Sequence, residues 1–206
     1  KEFVSNKKEN SNYKKFILGA SVKPYDIDYK NKWVCYDKKL EQEYTNQAFR
    51  DEKIFITKSK LLVRQVMGKE KIFATLDNSQ FYTDQSIYLL LPKKQTINLL
   101  SILAILNSKL MYYFFSRTFS DGKETFPKIK GIQLAEFPIG GNLDNEEIVK
   151  LVEQLLQLNI ELKEANLETK KEQIQNRISY CEERINEIVY ELYGLSDEEI
   201  KIIENR

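Results

Sequence analysis

No histidine occurs among the 206 residues. That absence removes histidine-based general acid–base catalysis, the Ser-His-Asp triad and zinc sites built on imidazole. Cysteine is scarce too. Cys35 and Cys181 stand far apart, form no metal-spaced pair, and fit a reducing compartment with buried, inert thiols. A P-loop and a GxGxxG fingerprint are both missing. Neither the Asn-Pro-Pro-Tyr signature of amino-methyltransferases nor a glycine-rich motif for S-adenosylmethionine is present. The stretch "SDGKE" (residues 120–124) lacks the order of an Asp…Glu-x-Lys nuclease site and has the composition of a surface turn. The polar start, "KEFVSNKKENSNYKK", is no signal peptide, and without an initiator methionine it suits a piece of a longer protein.

Only one long apolar run exists, "TINLLSILAILNSKLMYYFFSR". Its part from Ile97 to Phe115 approaches the ~20 residues of a membrane span. Lys109, Asn98 and Asn107 interrupt it, and a β-rich polar segment precedes it, so a buried helix is the better reading. Its apolar positions surround most of the circumference, which predicts a helix packed on several sides.

Net charge is also nearly absent, with 32 basic and 31 acidic residues. The distribution is uneven. Residues 1–135 hold 24 Lys+Arg against 14 Asp+Glu, a difference of +10, whereas residues 136–206 hold 8 against 17, a difference of −9. A basic body joined to an acidic segment points to a polyanion partner for the body. At 42% apolar and 31% charged, the chain can bury a sizeable core.

The pattern along the chain is α+β. Residues 1–15 form a polar, flexible N-terminal segment. Short strands fit near Phe16–Leu18 and Trp33–Tyr36, and "KKLEQEYTNQAFRDEK" is compatible with a helix. From Lys60 the chain turns β: "KLLVRQV", "KIFATL" and "FYTDQSIYLLLP" predict a small antiparallel or mixed sheet packed on the buried helix. Met67-Gly68-Lys69-Glu70 is the expected hairpin turn, with Gly68 at positive φ. Phe126-Pro127 and Phe137-Pro138 impose extended backbone. From Asp144 the sequence becomes amphipathic, with Ile148, Leu151, Val152, Leu155, Leu158 and Leu162 on one face. A second run, Lys170 to Tyr193, carries Ile174, Ile178, Cys181, Ile185, Ile188, Val189 and Leu192. Asp144 and Glu147 stand in capping-box register, Gly194 fits a C-terminal cap, and Ser196 with Glu199 opens a last helix. The two runs predict a long, coiled-coil-like αα-hairpin. The expected division is 1–15, 16–143 and 144–206.

Binding chemistry therefore remains. Lys58, Lys60, Arg64, Gln65, Lys69 and Lys71 occupy the β region and its turns; Lys93 and Lys94 follow the last strand; Lys123, Lys128 and Lys130 flank Pro127. Lysine and arginine neutralise phosphates, and Arg and Gln make bidentate contacts to purine edges. A solvated sheet edge blunted by lysines would use the same residues. Tyr25, Tyr29, Tyr82 and Tyr88 have the chemistry to stack bases, or to pack the sheet with their hydroxyls outward.

The ordered set "KLLVRQV", "FYTDQSIYLLLP", "LLSILAILNSKLMYYFF", "FPKIKGIQLAEFPI" and "ELYGLSDEE" resembles the TaqI-like C-terminal specificity domain of restriction-modification enzymes that methylate adenine N6. From "LNSKL" through "FPI" to the helices it is also similar to the target-recognition domains of type I specificity subunits. The resemblance implies a non-catalytic module reading double-stranded DNA. Methyl transfer and cleavage, with their S-adenosylmethionine and magnesium, belong to other domains of a bifunctional parent, and this chain itself holds no cofactor. It further implies a prokaryotic cytoplasmic setting, and a helical hairpin that spaces or docks the methyltransferase or nuclease portion. An acidic hairpin suits protein rather than DNA, since it repels phosphates. Base-reading residues differ between members with different targets, so none carries over by position. The competing reading is a protein-interaction module working through the hairpin alone.

Overall fold

The computed structural model describes residues 3–37, 50–94, 97–119 and 127–205. Among the described residues three sheets form the β portion. The first is mixed, with strand order β1 (Val4–Ser5), β5 (Lys32–Cys35), β2 (Tyr13–Ile17), β8 (Tyr82–Thr83). The second pairs β3 (Val22–Lys23) with β4 (Asp26–Ile27). The third places β6 (Lys60–Arg64) between β7 (Ala74–Asp77) and β9 (Ile87–Leu90), all antiparallel. A short helix, α1 (Glu52–Ile56), precedes β6. Residues of the polar N-terminal segment thus supply β1 and the first three residues of β2, Tyr13 to Lys15.

Strand β6 explains the apolar run in "KLLVR". Leu61 and Val63 face the main core while Leu62 faces a second cluster with Ile17, Val22, Phe81 and Ile87. With both faces covered, a strand has no polar alternation to show. The "FYTDQSIYLLLP" run, expected as one strand, is two. Tyr82–Thr83 pairs in parallel with β2, and Ile87–Leu90 pairs with β6. Asp84, whose carboxylate accepts from Ser86 N–H and Oγ, turns the chain between them.

The buried helix is likewise two helices, α2 (Leu99–Asn107) and α3 (Lys109–Thr118), bent by 60°. Two short polar side chains cause the break. Asn107 spends its amide on the edge of β7, accepting from Ala74 N and donating to Ala74 O. Ser108, at ψ 154°, donates to Ile105 O and accepts from Met111 N, ending one helix and capping the next. No single helix among the described residues is long and apolar enough to cross a membrane. Met111 and Phe115 are fully buried, so the aromatic run serves the core.

After a short α4 (Gly131–Ala135) come α5 (Glu146–Glu164), α6 (Glu168–Leu192) and α7 (Asp197–Glu204). The α5 cap is Asn145, accepting from Ile148 N, one residue beyond the expected Asp144. Gly194 sits at φ 66° and closes α6, with Gly194 N and Leu195 N reaching back to Glu191 O and Tyr190 O. The Ser196–Glu199 box forms as expected. Ile148, Val152, Leu155 and Leu158 pack with Ile174, Ile178, Cys181, Ile185 and Val189. This same core includes Leu61, Val63, Ala74, Leu103 and Phe115, so it crosses the 143/144 boundary without interruption. Cys181 is buried there, whereas Cys35 is only half-buried on β5.

Candidate nucleic-acid interface

At its C-terminal end, β6 runs straight into a second chain segment. Ile129 N donates to Gln65 O at 2.9 Å, Met67 N donates to Pro127 O at 3.3 Å, and Val66 bridges Lys128. Pro127 has no N–H to give, so it joins the pairing through its carbonyl alone. Ile129, 1% exposed, anchors the segment, and Tyr88 Oη donates to Ile129 O. Lys128 and Lys130 are thereby held exposed beside Arg64 and Gln65.

The hairpin that follows completes this edge. Gly68 N donates to Lys71 O, and Lys69 and Glu70 form the turn. The residue at positive φ is Glu70, at 59°, not Gly68. Gly68 is required for a different reason: a Cβ there would lie 2.4 Å from the Phe73 ring. That ring carries two cations, with Arg64 Cζ at 5.3 Å and Lys23 Nζ at 5.9 Å from its centroid. Gln65 Nε2 donates to Gln85 O at 2.5 Å, which fixes the amide. Arg64, Gln65, Lys69, Lys128 and Lys130 therefore share one edge.

Lys60 belongs to no surface. Its side chain is 0% exposed, its ammonium lies 2.7 Å from Asp77 Oδ2, and it donates to Phe55 O and Thr57 O. Its expected role as a DNA contact is corrected, because a fully desolvated ammonium with three acceptors has no proton left to offer. Lys71 pairs with Glu182 of α6 at 2.7 Å, so its charge is largely spent within the protein. Lys58, Lys93 and Lys94 lie at the opposite end of the sheet. Lys58 borders an open groove of about 810 Å³ with Pro92, Asn98 and Glu153. Five residues of β6 at ~3.4 Å each separate the two ends. Lys123 falls outside the described residues.

The four tyrosines serve the fold. Tyr25 is 3% exposed, and burial pushes its hydroxyl far above the usual phenol range. Tyr82 stacks on Phe55 at 4.5 Å and donates to Glu52. Tyr29 packs on Phe81 and donates to Lys32 O, and Tyr88 is tied to Ile129. Sequence reasoning missed Lys23. Its only signal is isolated basic charge, and the residue that gathers it, Phe73, is distant in the chain. The acidic excess lies elsewhere, on α5, α6 and α7, where Glu147 pairs with Arg184 and Glu204 with Lys109.

Among the described residues no cluster of His, Cys, Asp or Glu could hold a metal ion. No curated protein sequence matches the chain. A solved structure with the same fold is that of the type IIL restriction-modification enzyme MmeI in complex with DNA. The match has 11% sequence identity and a TM-score of 0.61, and covers 94% of this chain and 31% of MmeI. The chain therefore spans under a third of that enzyme's length. The profile of the TaqI-like C-terminal specificity domain matches residues 14–139, and the chain belongs to that family.

Proposed function

We propose that this chain is the target-recognition module of a restriction-modification enzyme, laying its basic edge against duplex DNA. One observation carries the reading: Lys23, Arg64, Gln65, Lys69, Lys128 and Lys130 come from three separate chain segments and converge on one edge. Cations gathered in this way gain from a polyanion by releasing its counterions. Family membership supports the same reading, as does the fold shared with an enzyme whose structure contains DNA. Adenine methylation and cleavage, with S-adenosylmethionine and magnesium, fall to other domains of the parent, and the setting is the prokaryotic cytoplasm. This chain then contributes specificity rather than catalysis. The acidic outer surface of α5 and α6 serves as the face toward those domains, being unsuited to phosphates.

An anisotropy titration with pooled random duplexes, repeated across salt concentrations, tests the proposal. Binding should weaken linearly on a log–log plot against salt. Absence of salt-dependent duplex binding, both by this chain and by its parent enzyme containing it, overturns the reading. A module working through the hairpin alone would give a stable homodimer without DNA affinity. The apolar stripes of α5 and α6 are already consumed in the shared core, which disfavours that alternative.

A further inference from the structure

Three arginines among the described residues are half-buried: Arg50, Arg64 and Arg184. Arg50 donates to Thr83 O, Thr83 Oγ1 and Asp84 O, and Arg184 to Glu147 and Glu187. The Arg64 guanidinium has no acceptor among the described residues; it lies over the Phe73 ring, with Cζ 5.3 Å from the centroid. Withdrawing a guanidinium from water without acceptors is costly, and a cation–π contact offsets only part of that cost. Lys23 approaches the same ring, so two cations gather at one aromatic. The arrangement becomes favourable once an acceptor-rich ligand arrives.

The backbone around Arg64 is rigid. Arg64 N donates to Phe73 O on one side, and Gln65 N donates to Ser86 O on the other, both at 2.9 Å. Arg64 and Phe73 are thus cross-strand partners with side chains on one face. Gly68 lies against the ring from the hairpin, where a Cβ would push the ring aside. The N–H groups of a guanidinium that point away from such a ring stay free, and those groups suit two coplanar acceptors.

We infer that Arg64 reads a guanine in the major groove, and that Phe73 is the positioning residue that orients it. This inference rests on the DNA-recognition reading above. Guanine presents two acceptors there, O6 and N7, whereas adenine presents one acceptor and one donor, which a donor-only side chain cannot match. A phosphate also offers two acceptors, but it accepts from many directions and gains little from an oriented fork. Lys23, a point charge on a flexible stem beside Arg64, meets that need.

The experiment begins by selecting preferred sites from a randomised duplex pool with the 206-residue chain, and in parallel with its parent enzyme. Arg64→Ala, Phe73→Leu and Phe73→Tyr follow, and each guanine of the selected site is replaced in turn by 7-deazaguanine, which lacks the N7 acceptor. The wild type should select at least one guanine that Arg64→Ala no longer selects, with discrimination there falling roughly 10- to 100-fold. 7-Deazaguanine at that position should weaken the wild type on the order of 10-fold and leave Arg64→Ala unaffected. Phe73→Leu should lose part of the 7-deazaguanine effect and Phe73→Tyr should keep it, a pattern that mere loss of packing does not produce. Unchanged selection by Arg64→Ala overturns the inference while leaving target recognition intact. So does an equal loss on all sequences, which assigns Arg64 to a phosphate. A wild type and parent that select no site overturn the DNA-recognition reading itself.

Discussion

Lys60 and Asp77 form an ion pair at 2.7 Å in which both side chains are fully withdrawn from solvent. Each partner also spends its remaining capacity on backbone. Lys60 binds the carbonyls of Phe55 and Thr57, and Asp77 accepts from Ser79 N and Phe81 N. The pair therefore ties the end of α1 and the turn after β7 to the same strand. Removing one member leaves the other charge buried and uncompensated. Lys60→Met should cost about 3–5 kcal/mol of stability. Chemical denaturation measures this, and the protein that remains folded should keep the wild-type dependence of DNA binding on salt. A selective loss of DNA binding at unchanged stability would return Lys60 to the interface.

That lysine shows where sequence reasoning stops. As one of a run of basic residues in a β segment, Lys60 is indistinguishable from Lys58 until burial is known. Patterns with a fixed period were legible: the amphipathic runs of α5 and α6, the β character of "KLLVRQV", and the Gly194 and Ser196 signals. These depend on neighbours three or four residues apart, or on one backbone conformation. What escaped depended on distant partners. The α2–α3 break needs the Ala74 backbone to occupy Asn107, and the splitting of "FYTDQSIYLLLP" needs β2 as a partner for Tyr82. The edge itself was half visible. Arg64, Gln65, Lys69, Lys128 and Lys130 were in the expected set, but so were Lys58, Lys93 and Lys94 at the far end. Charge alone carries no address.

Glu147 on α5 meets Arg184 of α6 at 2.8 Å, and the hydrogen bond from Arg184 holds the Glu147 carboxyl below its ordinary range. A carboxyl depressed in the folded state contributes stability above its unfolded pKa and loses it as pH falls through the folded value. Glu147→Gln should therefore lower the denaturation midpoint at neutral pH, and the difference from wild type should shrink as falling pH protonates the Glu147 carboxyl. A gap that does not shrink would mean the substitution acts through something other than the charge pair.

Two glycines fail for opposite reasons when a methyl group is added. At Gly194, φ is 66° and a Cβ would meet nothing within 4 Å, so Gly194→Ala pays only for the left-handed backbone, about 1 kcal/mol. At Gly68 the backbone is ordinary, but the Cβ would lie 2.4 Å from Phe73. Gly68→Ala should cost roughly 1–3 kcal/mol through overpacking. It should also displace the ring beneath Arg64, blunting base discrimination. Thermal melts of both variants beside a selection experiment separate the two cases: Gly194→Ala lowers the melting temperature with selectivity unchanged, and Gly68→Ala lowers both. Equal selectivity in the two would detach Phe73 from recognition.

The two ends of the central sheet offer the sharpest test of where DNA lies. Lys128 is exposed beside Gln65 through the Val66 bridge, whereas Lys58, Lys93 and Lys94 are exposed at the opposite end, beyond the length of β6. Each phosphate contact contributes about one unit to the slope of log affinity against log salt. Lys128→Ala should therefore weaken binding to all duplexes alike and flatten that slope by about one unit. The triple variant Lys58→Ala, Lys93→Ala, Lys94→Ala removes three times the charge and should leave the slope unchanged, because screening over ~8–10 Å suppresses charges that do not touch the backbone. Anisotropy titrations at four or more salt concentrations distinguish them. If the triple variant flattens the slope and Lys128→Ala does not, the duplex lies against the groove end of the sheet, and the interface assigned to Arg64 and its neighbours is on the wrong side of the molecule.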